Sequence, residues 1–313
     1  HTETKRQPKM LIKLNTKTNK YDCELNGKKF SSGDTKYIEH MYKKLTGDKK
    51  SFDQLVGKVT EAVEAAPSVS DKFTINTRFS FVEKVVKMVG TGVQASAVIT
   101  GEGGLGKSFT VLKTLKAMGM VDINDIVPGQ AVNPKKVFTQ IKGFSTAKNM
   151  FRTLYKNNGS TIIFDDCDSI LKDAIAINIL KAALDSYDKR VITWGAEMRG
   201  DDDLPRSFEF TGKIVFISNL NQNKIDQAIR SRSMLIDLSM TQDQKLDRME
   251  HLIASEDFMP EYSVAIKKDA IALIRQLKDT AREISLRTLI TVSKIRATAG
   301  DDWAELAEYT MCN

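Results

Sequence analysis

The sequence predicts an α/β fold: a three-layer domain around a mainly parallel sheet. Between residues 69 and 240, short apolar runs alternate with amphipathic helical stretches, which is typical of a parallel sheet covered by helices. A glycine-rich turn joins one of these runs directly to a helix. The 313 residues are 41% hydrophobic and 28% charged, enough apolar material for a core, and this length suggests about two domains.

The first 68 residues are predicted to form a small basic α+β region. Asn26 and Gly27 are a two-residue turn signal, so residues 21–30 are predicted to form a β-hairpin. The other expectations here are an irregular start over 1–20 and helices over 35–45 and 52–65. Pro67 lies in a stretch typical of a linker, which places the domain boundary near residue 68.

The net positive charge comes from the N-terminal region. Residues 1–50 hold 13 Lys and Arg against 6 Asp and Glu, so their formal charge, 13 − 6 = +7, equals that of the whole chain, 47 − 40 = +7. A basic segment ahead of a neutral body is typical of a polyanion-binding arm, and its interspersed aromatic residues permit base stacking. The same residues equally fit a solvated leader or a small folded domain.

The composition argues against a disulfide scaffold and a membrane protein. Cys23, Cys167 and Cys312 have no metal-ligand or redox spacing, which fits a reducing compartment. The longest uncharged stretch near a strand, residues 88–101, is shorter than the ~20 apolar residues that a membrane span needs. No secretory signal is visible, and we expect a cytoplasmic protein with no membrane association.

The core and the helical region that follows it are predicted element by element. The core, residues 69–240, has predicted helices over 79–89, 109–118 and 146–156 and predicted strands over 95–100, 136–141, 161–164, 190–193 and 213–218. Beyond residue 240 the pattern is helical, which predicts a lid over 241–313. In that lid, Ser285 is the predicted N-cap of a helix over 285–297.

The glycine-rich turn is a complete P-loop pattern between a predicted strand and a predicted helix. Its glycines allow a tight turn that presents amide N–H groups to phosphates, and the helix N-terminus favours anions. In this pattern Lys107 contacts the β- and γ-phosphates and Ser108 ligates Mg²⁺. The predicted cofactors are therefore ATP and Mg²⁺. The predicted nucleotide-binding residues of the turn are Gly101, Glu102, Gly103, Gly104, Leu105, Gly106, Lys107, Ser108 and Phe109.

Two carboxylates end the strand predicted over 161–164. Asp165 is predicted to hold the hydrated Mg²⁺, and Asp166 is predicted to polarise the attacking water. Adjacent strand residues face opposite sides of a sheet, so the two share a site only if the strand ends between them.

The order of these motifs over residues 75–298 resembles the AAA+ ATPases. The Asp165-Asp166 pair, in place of the usual Asp-Glu, is similar to superfamily 3 viral helicases, as are residues 180–185 and 190–194. The overall pattern resembles the AAA-type ATPases encoded by tailed phages. The resemblance implies a ring or spiral of identical subunits, a hexamer in the usual case, in the host cytoplasm if the chain is phage-encoded.

The resemblance also implies roles for further residues. Asn219 takes the position of sensor 1, which orients the attacking water. Arg232 is the preferred arginine finger for a neighbouring subunit, with Arg230 as the second choice. Arg287 takes the position of sensor 2, which contacts the nucleotide.

DNA contacts are predicted in two places, the basic residues 1–50 and a pore loop. Lys142, Gly143 and Phe144 fall where the family carries pore loop 1, although they also fit a plain glycine turn with a core Phe. Residues 190–212 are predicted to form a hairpin like those of helicases, yet its acidic tip is unfavourable for DNA.

We therefore expect an oligomeric Mg²⁺-dependent ATPase that remodels DNA or moves on it, similar to a helicase or helicase loader. Two alternatives stay open at this point. One is an ATP-driven protein remodeller of the unfoldase or MoxR-like kind, and the other is an ATP-dependent assembly switch.

Overall fold

A computed structural model describes residues 11–15, 20–25, 28–47, 50–52, 55, 72–143, 145–195, 204–255 and 257–313. The chain divides into two compact units, His1–Ser68 and Val69–Asn313. The predicted core and the predicted lid both lie in the second unit. Most of the helix predicted over 52–65 lies outside the described residues.

The N-terminal unit contains a three-stranded antiparallel sheet and a helix: β1 (Leu11–Asn15), β2 (Lys20–Leu25), β3 (Lys28–Ser32) and α1 (Thr35–Thr46). The predicted hairpin is confirmed, because Leu25 pairs with Lys28 in an antiparallel register. Its buried core is Cys23, Leu25, Ile38 and Tyr42. The irregular start expected over 1–20 is wrong for β1, which is stabilised by backbone hydrogen bonds to β2 in an antiparallel register.

The second unit is built on a six-stranded sheet whose neighbouring strands are all parallel. Its strand order is β11-β4-β10-β7-β6-β5, while β8 and β9 form a separate antiparallel pair. In chain order the strands are β4 (Ser96–Thr100), β5 (Val121–Asp122), β6 (Val137–Lys142), β7 (Thr161–Asp165), β8 (Val191–Thr193), β9 (Ser207–Glu209), β10 (Lys213–Ile217) and β11 (Met234–Asp237).

Nine described helices accompany these strands in the second unit. They are α2 (Ile75–Thr91), α3 (Lys107–Ala117), α4 (Ala147–Lys156), α5 (Ala174–Ala183), α6 (Gln227–Arg232), α7 (Gln242–Ile253), α8 (Val264–Gln276), α9 (Leu286–Thr298) and α10 (Trp303–Cys312). Among the described residues, no helix has both the length and the apolar character that a membrane span requires.

Helices pack against both faces of the large sheet, so the fold is compatible with the predicted three-layer core. Phe164 and Phe216 stack at 5.6 Å on the face that packs against α4, α5 and α6. Ile163 and Val215 point to the opposite face, which packs against α2 and α3. Side chains of a strand alternate between faces, and burial of both faces explains the continuous apolar runs seen in the sequence.

Two strands of the large sheet, β5 and β11, are absent from the sequence-based prediction. One predicted strand pairs outside the large sheet. β5 has only two residues, too few for a recognisable pattern, and β11 is a short edge strand whose apolar run 234–236 is only partly buried. The strand predicted over 190–193 corresponds to β8, which pairs with β9 outside the large sheet. This pairing confirms the hairpin predicted over 190–212, whose central residues 196–203 lie outside the described residues.

The C-terminal helical segment, α7 to α10, has its own hydrophobic core, which includes Leu246, Ile274 and Leu289. The all-helical pattern predicted beyond residue 240 is confirmed. Ser285 caps α9 as predicted, because its hydroxyl accepts a hydrogen bond from the Thr288 N–H in a capping box.

Candidate functional site

The C-terminal ends of β4, β10 and β7 lie side by side in the sheet and bring the predicted motifs together. The Gly101–Lys107 turn follows β4, Asn219 lies just beyond β10, and Asp165 ends β7. Ligands of open α/β sheets bind at this carboxyl edge, beside the strand where the chain changes direction. Here the reversal falls between β4 and β10, because the chain leaves β4 for β5 at one edge of the sheet and leaves β10 for β11 at the other edge.

These residues surround one cavity of about 390 Å³. That volume lies in the range of small-molecule sites, roughly 300–1,000 Å³. The cavity lining comprises Gly103, Gly104, Leu105, Gly106, Lys107, Ser108, Phe109, Lys142, Asp165, Asp166, Asn219 and Arg287. The structure thus brings most of the predicted nucleotide-site residues together, including Arg287 from the C-terminal helical segment.

Lys107 is buried in the turn that precedes its own helix. Its ammonium donates hydrogen bonds to the carbonyl oxygens of Gly101 and Glu102, both at 2.6 Å, and to Oδ1 of Asn219 at 2.9 Å. Burial lowers the pKa of Lys107, and the nearby carboxylates of Asp166 and Asp165 partly offset this effect. The side chain is a positioned cation at the edge of the cavity.

Asp165 is buried, and both of its carboxylate oxygens are engaged. Ser108 Oγ donates to Oδ1 at 2.9 Å, and Gln140 Nε2 donates to Oδ2 at 2.7 Å. A hydroxyl and a carboxylate side by side are the oxygen ligands that Mg²⁺ prefers. Ser108 and Asp165 therefore fit the predicted metal site.

Asp166 leaves the strand immediately after Asp165. Its φ of 56° lies in the left-handed region, which few residues other than glycine, asparagine and aspartate adopt. The strand ends between the two carboxylates, so Asp166 is not forced to the opposite face of the sheet and both carboxylates can line one site. Asn219 Nδ2 donates to Asp166 Oδ1 at 2.8 Å, while its Oδ1 accepts from Lys107, so one amide links the cation to the carboxylate.

The C-terminal helical segment contacts the turn directly. The backbone N–H of Leu286, at the start of α9, donates to the Gly104 carbonyl oxygen at 2.9 Å. Lys245 of α7, mostly buried, forms an ion pair with Glu102. Any displacement of this segment must therefore break contacts with the candidate phosphate loop.

The predicted arginine fingers lie elsewhere. Within the part of the chain that the structure describes, the cavity lining includes neither Arg230 nor Arg232. Both are on the short helix α6, and Arg232 donates to its own helix at the Ala228 carbonyl oxygen, at 3.1 Å. Their role toward a neighbouring subunit stays a prediction.

Lys142 of the predicted pore loop lies at the candidate nucleotide cavity, which the sequence did not predict. The ammonium of Lys142 lies 4.0 Å from Asp165 Oδ2, and Lys142 lines the cavity. Phe144 lies outside the described residues. Sequence reasoning also missed Gln140 and Lys245. The one signal for Gln140 is that it lies two residues before Lys142, on the same face of a strand.

Comparison with known proteins gives a phage relative. No protein-family model matches the chain. The chain is similar to a phage T4 protein. The two are 28% identical over 265 residues, which cover 80% of this chain and 78% of the relative, an uncharacterized 36.7 kDa protein of the nrdC-mobD intergenic region of Enterobacteria phage T4. This relative is compatible with the predicted phage type and says nothing about activity.

The contact between Gly104 and the cap of α9 predicts a stability difference between two glycines. Gly104 and Gly119 have nearly equal φ values, 73° and 72°, so alanine at either position costs about 1–2 kcal/mol of backbone strain. At Gly104 the added Cβ would lie 3.1 Å from Ser285 Cβ, whereas at Gly119 it would meet nothing within 4 Å. We expect Gly104→Ala to lower the free energy of unfolding by about 1 kcal/mol more than Gly119→Ala.

Urea unfolding of the two variants measures this difference. Equal losses of unfolding free energy would show that the Gly101–Lys107 turn and the C-terminal helical segment do not pack closely against each other in solution.

Proposed function

We propose that this chain is a Mg²⁺-dependent ATPase. The observation that carries the proposal is the gathering of Lys107, Ser108, Asp165, Asp166 and Asn219 around one cavity, at the ends of three adjacent parallel strands. These residues come from separate parts of the chain, yet they meet at a cavity whose volume suits a small molecule. Their side chains are of the types that bind phosphates, ligate Mg²⁺ and activate water.

Each residue has a role in the proposed reaction. The amides of the Gly101–Lys107 turn and the ammonium of Lys107 bind the phosphates. Ser108 and Asp165 hold Mg²⁺, which when bound neutralises charge that develops on the phosphate oxygens. Asp166 accepts a hydrogen bond from the attacking water, and Asn219 holds the carboxylate of Asp166 in place.

We propose an oligomer as the active form. Support comes from the short helix α6, because within the described part of the chain neither Arg230 nor Arg232 lines the cavity that the other predicted site residues share. An arginine that stabilises the transition state can come from a neighbouring subunit. The resemblance to AAA+ ATPases favours a ring or spiral, a hexamer in the usual case.

Mixing two inactive variants tests the oligomer. Arg232→Ala is expected to retain ATP binding and to lower the rate of hydrolysis by about 1,000-fold, the lower end of the effect of arginine fingers. Adding Lys107→Ala subunits is expected to restore part of the activity, because each subunit type supplies what the other lacks. Failure to restore activity at any ratio, with mixed assembly shown by size-exclusion chromatography of tagged subunits, would contradict a shared site.

We propose DNA as the polymer on which the ATPase acts. Support comes from the excess of 13 Lys and Arg over 6 Asp and Glu in residues 1–50. Lys142, which lines the nucleotide cavity, no longer adds to that support.

Steady-state hydrolysis of ATP tests this function. The rate is measured alone and with single-stranded DNA, duplex DNA or an unfolded polypeptide, at two salt concentrations. Stimulation by DNA that declines with salt is expected, because phosphate contacts release counterions. Stimulation by polypeptide alone would favour a protein remodeller, and tight ATP binding with negligible turnover would favour an assembly switch.

A further inference from the structure

Strand β6 presents two polar side chains to the carboxylate proposed to hold Mg²⁺. Gln140 and Lys142 are two residues apart and therefore share a face of the strand. Gln140 Nε2 lies 2.7 Å from Asp165 Oδ2, and Lys142 Nζ lies 4.0 Å from the same oxygen. The register places Lys142 directly opposite Asp165 in the neighbouring strand.

The two partners of this ion pair differ in their exposure. The Asp165 side chain is 5% exposed and the Lys142 side chain 65%. Lys142 lines the same cavity as Lys107, but it approaches from β6 rather than from the turn. Its long, flexible stem and its exposure allow the ammonium to move away from the carboxylate into solvent.

We propose that Lys142 is a resident cation on the metal side of the nucleotide cavity and competes with Mg²⁺ for Asp165. This inference rests on the proposed nucleotide site. With no metal bound, the ammonium balances the Asp165 carboxylate and attracts the phosphates of a nucleotide. When Mg²⁺ is bound, two cations share one carboxylate, and their repulsion weakens the binding of Mg²⁺.

Two binding constants therefore move in opposite directions when the Lys142 charge is removed. The nucleotide loses an attractive charge, so its affinity without metal falls. The metal loses a competitor, so its affinity for the protein–nucleotide complex rises. A lysine that only supports the local structure would lower both affinities together.

The test is binding of a fluorescent, non-hydrolysable ATP analogue to the full chain and its Lys142→Met variant. Titration in EDTA gives the metal-free affinity of the nucleotide, and titration with MgCl₂ at fixed nucleotide gives the Mg²⁺ concentration for half-maximal effect. Because the Lys142 ammonium is exposed and screened by solvent, we expect each constant to change by only about threefold to fivefold. The analogue should bind more weakly in EDTA, and half-maximal effect should require less Mg²⁺.

Two further variants complete the design. Lys142→Arg keeps the charge and should behave as the wild type in both titrations. Lys156→Met removes an exposed lysine on α4 and should change neither constant. The inference is overturned if the wild type binds the analogue and Lys142→Met leaves both constants unchanged or shifts both affinities in the same direction. A wild type that binds no analogue would overturn the proposed nucleotide site itself, and this inference with it.

Discussion

Lys107→Ala is expected to abolish ATP binding, with a loss of affinity of about 100-fold or more. Two charge-assisted hydrogen bonds to phosphate oxygens, each contributing about 1.5–3 kcal/mol, account for a loss of this size. In the free protein the ammonium already lies within hydrogen-bond distance of three oxygens around the turn. The cation is thus held in place before the nucleotide arrives. Equilibrium binding of a fluorescent ATP analogue measures the effect.

The matched control for this variant is Lys113→Ala. Lys113 lies on the same helix, but its ammonium pairs with Asp257 at 2.8 Å, and both side chains are largely exposed. We expect this control to bind ATP as the wild type does. Thermal unfolding of both variants shows whether weaker ATP binding comes from the lost lysine contact or from loss of the folded structure. Intact ATP affinity in a folded Lys107→Ala protein would disprove the assignment of the phosphate loop.

Asp166→Asn is expected to bind ATP normally and to lower the hydrolysis rate by about 100-fold or more, the effect typical of a lost general base. Asparagine suits this test because it tolerates the left-handed backbone that Asp166 adopts at φ 56°. The substitution therefore removes the charge and keeps the local geometry. Single-turnover hydrolysis, measured beside ATP affinity, distinguishes the chemical step from binding.

Asp173→Asn is the control for the loss of a carboxylate nearby. Asp173 caps α5 by accepting hydrogen bonds from the N–H groups of Ile175 and Ala176, and asparagine caps helices equally well. We expect ordinary turnover in this control. Ordinary turnover in Asp166→Asn as well would remove Asp166 from the catalytic residues. It would direct attention to Asp168, which accepts a hydrogen bond from the hydroxyl of Ser218, the residue after β10.

Features formed by residues close together in the chain could be predicted, because the interactions that form them are local. The Gly101–Lys107 turn and the Ser285 cap each depend on residues a few positions apart, and each lies where the pattern predicts. The strand β7 runs one residue beyond its predicted end, to Asp165. The strand β1 was missed for the opposite reason. Its hydrogen bonds come from β2, and five residues are too few to show by themselves which strand they pair with.

The sequence by itself determined the alternation of strands and helices, the residue types of the Gly101–Lys107 turn and the position of two carboxylates at the end of β7 and just after it. Only the tertiary structure decided which strands are neighbours. β10 lies between β4 and β7, so Asn219 reaches both Lys107 and Asp166, and β6 beside β7 brings Gln140 and Lys142 to Asp165. The physical reason is that strand order follows from how the helices cross over and pack on the sheet, which no short pattern along the chain records.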